Sequence, residues 1–365
     1  MPRCQLCLIL VVLSLSPPAR ATMLILDTQA AKAVLSALNT SALSSAEAHA
    51  IAELPGNQGL IRKALSYKIA VSTNAFSEAL LAAAHGSALD TPTARYLHFD
   101  RIKPKTTMLE ALIRTIETHP ADFNTWVIDR IDAFSPPKST VKVSGYLVVG
   151  GTSGGFAFDD PDFFLNLDQF DEFAPARLLL AHEFYHAVQA AHPVGPANPP
   201  PRPHTTAGGR GPDHMVCEHL SDLFDNLYQE GSASYVGDPL LLDAAGGQVA
   251  ATTRAEFETG LKHLGAHRTL LELAVVALQA PDPVPYDDIY ALGFYVPEPL
   301  YKLGYVMAKA LAQDQGPGAL AAFLGQPGYA FVQQYARLPQ YGKDRDHPAL
   351  GPKTLQAIQR LASGC

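Results

Sequence analysis

The feature that most constrains this chain is a long helix-forming run that holds a His-Glu-His group among apolar residues. No Gly or Pro interrupts the segment from Arg177 to Ala191, and Pro175 stands where a first helical turn tolerates proline. Within this segment stand His182-Glu183-Phe184-Tyr185-His186, flanked by Leu, Ala and Val. Burying a glutamate and two histidines costs free energy unless they are paired. The segment therefore predicts a packed helix whose polar face meets an ion or polar partners.

The spacing of the two histidines indicates which ion. His182 and His186 are one helical turn apart, so both imidazoles project from one face and can bind a single metal ion as neutral ligands. Glu183 lies beside them and can act as general base for water that zinc activates. We predict a zinc hydrolase, in the first place a peptidase, with one Zn²⁺ per chain and a peptide or protein substrate. His263 and His267 share the spacing but lack a neighbouring base, so we interpret them as structural or solvent-facing.

A third ligand must come from elsewhere, and His192 is one candidate. It completes the pattern His-Glu-x-x-His-x-x-x-x-x-His, which resembles the metzincin metallopeptidases. The resemblance departs at Gln189, where that pattern has a glycine that lets the chain turn back to the metal. Gln189 and the two alanines after it favour a continued helix, on which His192 would lie roughly 280° around from His182. A metzincin-like peptidase is the first alternative.

Glu230 is the second candidate, within Gln229-Glu230-Gly231-Ser232-Ala233. This segment resembles the gluzincin metallopeptidases, in which a glutamate on a later helix is the third ligand. It is similar in particular to bacterial zinc-dependent peptidases with a Glu-Gly-x-Ala segment. The resemblance covers residues 141–307. It implies that His182, His186 and Glu230 hold the zinc and leave a fourth position open, with Glu183 as catalytic base.

The same resemblance implies further parts of the site. Small side chains at Gly231 and Ala233 would let the Glu230 helix approach the helix that holds Glu183. Residues 150–158 would hold substrate backbone as an added strand, although an ordinary glycine-rich hairpin is the alternative. The segment from Tyr301 to Tyr305 resembles the late Tyr-x-x-Gly helix of these peptidases.

This late helix implies that Tyr301 or Tyr305 donates a hydrogen bond to the oxyanion of the reaction. The alternative is that both tyrosines only pack in the core, with Gly304 at a helix crossing. The sequence leaves both interpretations open.

The pattern along the chain predicts the fold class. Residues 27–119 are helical in pattern, β-branched and aromatic residues alternate within 140–170, and further helical segments follow. We predict a mainly α fold with a small β-sheet (α+β), in which a gluzincin-like zincin unit carries a helical N-terminal layer. The predicted division is a helical region over residues 22–135 and a catalytic region over residues 136–365.

Residues 1–21 have the pattern of a signal peptide. Arg3 precedes an apolar run that is shorter than the roughly 20 residues of a spanning helix, and small residues precede Ala21. We predict cleavage after Ala21, a secreted or periplasmic location and no stable membrane anchor. The net charge of −8, with no basic stripe, argues against nucleic acid as a partner. The oligomeric state is not predictable.

Two cysteines follow the signal segment, Cys217 and Cys365. In an oxidising compartment they can form one disulfide, but two free thiols fit the sequence equally well. Two further alternatives to a peptidase also stay open. One is a catalytically inactive zinc-binding protein of the same fold, against which Glu183 argues. The other is a zinc hydrolase that acts on a non-peptide amide.

Overall fold

The computed structural model describes residues 23–137, 141–158, 162–194 and 212–365. The predicted signal peptide lies outside these ranges, as does most of the Pro- and Gly-rich segment between residues 193 and 212. Helices make up most of the described chain, and one small sheet accompanies them. This confirms the predicted mainly α fold with a small β-sheet.

One edge of the sheet lies beside the predicted metal-binding helix. Its described strands are β1 (Met23–Asp27), β2 (Lys142–Val148), β3 (Gly155–Ala157) and β4 (Phe163–Asn166). Their order is β1-β2-β4-β3, with β1 parallel to β2, β2 parallel to β4, and β3 antiparallel to β4. Strand β3 is therefore an outer strand, and one of its edges carries no neighbour within the described sheet.

The helices before the sheet strands β2 to β4 form the N-terminal layer. They are α1 (Gln29–Leu38), α2 (Ser45–Ala52), α3 (Pro55–Ser66), α4 (Thr73–Ala84), α5 (Pro92–Leu97), α6 (Phe99–Ile102), α7 (Thr106–Thr118) and α8 (Trp126–Ala133). Several begin at local start signals that the sequence supplies. Ser44 forms a capping box with Glu47 at the start of α2, and Pro55 occupies the first turn of α3.

The helices after the sheet form the second half of the chain. They are α9 (Phe173–Ala190), α10 (Pro212–Val236), α11 (Gln248–Leu261), α12 (Leu264–Leu278), α13 (Tyr286–Phe294), α14 (Pro299–Gln315), α15 (Gly328–Tyr335) and α16 (Pro352–Ala362). The predicted metal-binding helix is α9, and Glu230 lies near the end of α10. Helix α9 starts a few residues before the predicted Arg177 but runs through Gln189 as expected.

Helices α3 and α9 pack on opposite faces of the sheet. On one face, Phe163 of β4 stacks on Phe184 of α9, with ring centroids 6.0 Å apart. On the other face, α3 lies so close to the strands that a Cβ on Gly59 would overlap the ring of Phe164. Since successive side chains of a strand point to opposite faces, Phe163 contacts α9 and Phe164 contacts α3. Burial of a side chain such as Phe184 contributes about 2 to 3 kcal/mol.

Helices α10 and α14 cross where two glycines meet. A Cβ on Gly231 would overlap Gly304, and a Cβ on Gly304 would overlap the carbonyl of Leu227. The expectation that Gly231 brings α10 to the metal-binding helix was therefore wrong, because its missing side chain makes room for α14. Gly237 makes the close approach to α9 instead, where an added Cβ would meet the Leu178 carbonyl and the His182 side chain.

Other features of the fold go beyond the sequence predictions. The chain from Met23 to Asp27 is a strand, which the helical pattern from residue 27 onward did not indicate. The buried core runs from Leu24 to Leu361 without interruption at the predicted boundary between residues 135 and 136, and that division stays a prediction. Cys217 and Cys365 form a disulfide, which ties the start of α10 to the end of the chain. Among the described helices, none combines the length and apolarity required to cross a bilayer.

Candidate metal centre

Three side chains from α9 and α10 converge at one point. The Nε2 atoms of His182 and His186 are 3.1 Å apart, and Glu230 Oε2 lies 3.1 Å from His186 Nε2 and 3.5 Å from His182 Nε2. Ligand atoms about 2.0 to 2.1 Å from a tetrahedral zinc lie about 3.3 to 3.4 Å from one another. The triangle has the dimensions and donor types of a catalytic zinc site. Within the described residues it is also the group found suitable for holding a metal.

His192 does not join this group. Helix α9 continues through Gln189, and His192 follows in the turn beyond it, where its Nδ1 lies 2.9 Å from the carbonyl of Val188. That contact satisfies a free carbonyl at the helix end. His192 still lines the same cavity, but it stands away from the two ligand histidines.

Gln189 has a role that the sequence analysis missed. Its Oε1 accepts a hydrogen bond from His186 Nδ1 over 2.8 Å, while its Nε2 donates to the Gln229 carbonyl and to Ser232 Oγ. With the proton held on Nδ1, the Nε2 lone pair of His186 faces the ligand triangle. The sequence showed Gln189 only as a departure from the metzincin glycine. Its spacing of three residues from His186 was the signal that could have revealed this contact.

Glu183 is the buried carboxylate beside the triangle. Its side chain packs against β3, and a Cβ on Gly155 would lie 2.6 Å from Glu183 Oε1. Only 6% of the residue is exposed. Burial raises the pKa of Glu183, the charges of His182 and His186 oppose the rise, Glu230 adds to it, and Lys63 opposes it. Glycine at position 155 thus makes the room that the carboxylate occupies between sheet and helix.

The charges of Glu230 and His186 stabilise each other. Burial disfavours both charged forms, yet His186 and His182 hold the pKa of Glu230 well below its ordinary range. In turn, burial lowers the pKa of His186, but the Glu230 carboxylate and then Glu183 raise it to a net value of about 9. A divalent cation would balance the charges of Glu230 and Glu183 as the protonated histidines do. It would require the imidazoles in their neutral form.

Of the two tyrosines predicted as oxyanion donors, Tyr301 lies at the centre. Its ring stacks on His182 with centroids 6.2 Å apart, and it lines the cavity with Glu183 and Glu230. Burial first, and then the charge of Glu230, raise the pKa of Tyr301 well above its ordinary value, so the hydroxyl stays a donor. Tyr305 lies one turn further along α14, where its hydroxyl donates to Asp238 Oδ1 over 2.9 Å. Tyr301 is therefore the better placed of the two for contact with the three converging side chains, and the oxyanion role of either tyrosine stays a prediction.

Tyr290 of α13 is a second tyrosine at the centre, and the sequence analysis did not select it. It lines the cavity with Tyr301, and burial followed by the charge of Glu230 raises its pKa to about 12. No motif surrounds it in the sequence. Only the packing of α13 against α14 brings it to the ligands.

Two cavities meet at the centre. The first has a volume of about 580 Å³ and reaches from Phe156 and Phe158 past His186 to Gln326. The second has a volume of about 880 Å³ and is lined in large part by apolar side chains: Phe170, Leu178, Leu179, Leu242, Phe257, Phe294 and Val296. Both include His182, Glu183, Tyr301 and Lys63. An extended chain can therefore pass the ligand group with residues on either side of it.

A comparison with protein families agrees with this geometry. The family model described as "Putative zinc dependent peptidase (DUF5700)" matches residues 49–343. The chain belongs to this family. The DUF5700 match includes the three residues of the ligand triangle, Glu183, both tyrosines of the centre and α3 of the N-terminal layer. Comparison with curated proteins and with solved structures finds no match.

Membership in the DUF5700 family supports the enzyme class and the metal. The family's description names a peptidase and zinc dependence, which are the predicted activity and cofactor. A peptidase acts on peptide substrates, as expected from the sequence. The description assigns no ligand, base or oxyanion donor, so the roles of individual residues stay predictions.

Proposed function

We propose that this member of the DUF5700 family is an exported zinc peptidase of gluzincin type. The observation that carries the proposal is the ligand triangle of His182, His186 and Glu230, with Glu183 packed beside it. Two neutral imidazoles and a carboxylate leave an open position for substrate, as a catalytic zinc requires. When bound, zinc supplies a Lewis acid that polarises the peptide carbonyl and lowers the pKa of water.

The protein's own residues would perform the proton transfers. Glu183 takes a proton from the attacking water on its carboxylate and delivers it to the amide nitrogen of the leaving peptide. The Tyr301 hydroxyl donates a hydrogen bond to the oxygen on which negative charge develops. Glu183 is buried and Tyr301 partly buried, which limits the water that would screen these interactions. Both groups lie beside the ligands, which supports turnover over zinc binding alone.

Strand β3 offers the binding edge for substrate backbone. Asn166 donates to the Gly154 carbonyl over 2.7 Å, so residues 154 and 156 are bonded to β4. In an antiparallel pair the residues between them point their N–H and C=O groups the other way. Gly155 and Ala157 therefore face the open edge, where an extended peptide can add as a further strand.

The proposal includes export and cleavage after Ala21. The signal pattern of residues 1–21 supports it. The disulfide between Cys217 and Cys365 supports it independently, because such bonds persist in oxidising compartments.

Zinc stoichiometry of the chain from residue 22 tests the ligand set. We expect about one zinc per chain in the wild type, measured by plasma mass spectrometry, as one ion per ligand triangle requires. Glu230→Ala should lose the zinc and His192→Ala should keep it. The reverse pattern would favour the metzincin-like alternative, and a wild type that binds no zinc after reconstitution would overturn the proposal.

The catalytic role of Glu183 needs a separate measurement. Glu183→Gln keeps the shape and should keep the zinc, but kcat on a cleaved peptide should fall by roughly 10² to 10⁴-fold. Retained activity at full zinc content would show that another group acts as base.

A further inference from the structure

Helix α3 of the N-terminal layer carries Lys63 across the sheet to its outer strand. Gly56, Gly59 and Lys63 recur one turn apart and so share one face of the helix. A Cβ on Gly56 would lie 3.1 Å from Val148 of β2, and one on Gly59 would overlap Phe164 of β4.

The next turn reaches β3. Lys63 Nζ lies 5.6 Å from the ring centroid of Phe156. The three residues of α3 therefore meet β2, β4 and β3 in the spatial order of the strands. The two glycines let α3 lie close enough to the sheet for the ammonium group to reach the edge.

Among the described residues, aromatic rings rather than carboxylates lie against the ammonium group of Lys63. Besides Phe156, the ring of Tyr67 lies under Lys63 Nζ at 5.1 Å. Such rings attract and orient a cation without neutralising its charge. Within the part of the chain that the structure describes, Lys63 forms no ion pair with an Asp or Glu side chain. By contrast, Lys302 in the second cavity binds Glu298 and the carbonyl of Pro297.

The position of Lys63 in the cavities singles it out. Among the described residues that line the first cavity, Lys63 is the only lysine or arginine. Glu183, Asp225 and Glu230 are the carboxylates. It also lines the second cavity, so it stands where the two meet. The charge therefore lies beside the path that a bound peptide would follow.

A peptide added to β3 would present alternate side chains to the two faces of the sheet. On the α9 face its side chains lie near Gly155 and Glu183. On the α3 face they lie near Phe156 and the ammonium of Lys63. A substrate side chain on the α3 face thus meets a cation that forms no ion pair with a described carboxylate.

We propose that Lys63 is a specificity-determining residue that binds a carboxylate of the peptide substrate at the edge of β3. The inference rests on the proposed peptidase function and names the class of substrate it favours, peptides with an acidic side chain near the cut bond or with a free C-terminal carboxylate. The alternation of side chains favours the first source. It also gives the N-terminal layer a direct part in substrate recognition.

Matched peptide pools test this assignment. The zinc-loaded protein is incubated with pooled N-acetylated decapeptides that carry Glu or the isosteric Gln at each position in turn, made with either acid or amide C-termini. Products are quantified by mass spectrometry. We expect the wild type to prefer Glu over Gln about tenfold or more at one position close to the cut bond, the effect of one charge-assisted contact. If the C-terminal carboxylate is the ligand, the preference follows the acid or amide terminus instead.

Three variants separate recognition from structure. Lys63→Met keeps the apolar stem between Tyr67 and Phe156, and should remove the preference, so that the ratio of kcat/KM on Glu peptides to kcat/KM on Gln peptides falls to about one. Lys63→Arg should retain the preference. Lys262→Met is the matched control, because Lys262 is exposed and lines neither cavity. Equal loss on Glu and Gln peptides, or no loss on either, would overturn the assignment.

A binding measurement keeps this test distinct from the test of the peptidase proposal. Fluorescence anisotropy with the labelled Glu and Gln pools is read on the zinc-loaded Glu183→Gln protein and on the same protein with Lys63→Met. Tighter binding of the Glu pool that depends on Lys63 supports the assignment even if the wild type cleaves nothing, a result that would overturn the peptidase alone. Cleavage of both pools at equal rates would overturn the assignment alone.

Discussion

The chain contains two histidine pairs with the same spacing, and only one of them lies in a site suited to a metal. His182 and His186 both stand inside α9, and Glu230 of α10 lies 3.1 Å from His186 Nε2. His263 is the residue before the first turn of α12, and His267 lies inside that helix. A spacing of four residues therefore places two imidazoles on one face only where both residues are helical.

The surroundings of the two pairs differ in charge. At the first pair, burial lowers the pKa of His186, but the Glu230 carboxylate and then Glu183 raise it to a net value of about 9. Around the second pair, burial first and then the charges of Lys302 and His263 lower the pKa of His267 to about 4. A metal ion brings further positive charge, which carboxylates favour and a nearby lysine opposes. The residue that a neighbouring helix places against a histidine pair therefore decides whether the pair suits a metal ion.

Removing both histidines of the first pair gives the largest expected effect. Replacing His182 and His186 together by alanine should reduce zinc from about one per chain to none and abolish hydrolysis, since two of three protein ligands are lost. The same double replacement of His263 and His267 should leave zinc content and kcat/KM within about twofold of wild type. Zinc loss from the second double variant, at an unchanged circular dichroism spectrum, would break the comparison.

Gln189 sharpens the comparison by testing how the first pair is oriented. Gln189→Leu keeps the volume but removes the acceptor of the His186 Nδ1 proton, and should weaken zinc binding roughly 10- to 100-fold. Competition with a zinc chelator at fixed pH measures this. Gln229→Leu is the matched control, because the Gln229 side chain is exposed and only its carbonyl takes part. Equal zinc affinity in both variants would show that the Gln189 contact does not orient the ligand.

The smallest expected effect concerns the second pair. Because the folded pKa of His267 is about 4 and an unperturbed histidine titrates near 6.5, the unfolded chain binds more protons between these values. His267 should therefore lower the free energy of unfolding as pH falls from about 6.5 to about 4. NMR titration of the His267 ring should give a midpoint near 4, well below that of the same residue in urea. A folded midpoint at or above 6.5 would contradict the description of this environment.

Much of the fold was predictable because it depends on neighbours in sequence. Apolar periodicity and the absence of breakers predicted α9, and the alternation near residues 142–148 predicted β2. Strand β1 was missed because Met23 to Asp27 forms a strand only through its pairing with β2, more than a hundred residues later. Its own sequence shows too few residues to establish a period.

The candidate site also has a part that depends on sequence neighbours and a part that depends on distant contacts. The sequence around residues 182–186 by itself determined the helix, the pair of imidazoles and the carboxylate beside them, since one helical turn relates all three. Whether Glu230 or His192 meets them, and whether Tyr301 or Tyr305 does, depended on how α9, α10 and α14 pack. The glycine contacts at Gly231 with Gly304 and at Gly237 with α9 decide that packing.

Lys63, Gln189 and the Cys217–Cys365 disulfide belong to the part that only the tertiary structure decided. Lys63 is 120 residues from Glu183 in sequence, and nothing near it indicates a cleft. The sequence by itself determined the chemistry predicted for this protein, because the candidate ligands and the candidate base lie within one turn of one helix. The tertiary structure decided which distant side chains lie at the candidate site. Contacts between separate helices and strands depend on how their surfaces pack, which local periodicity does not encode.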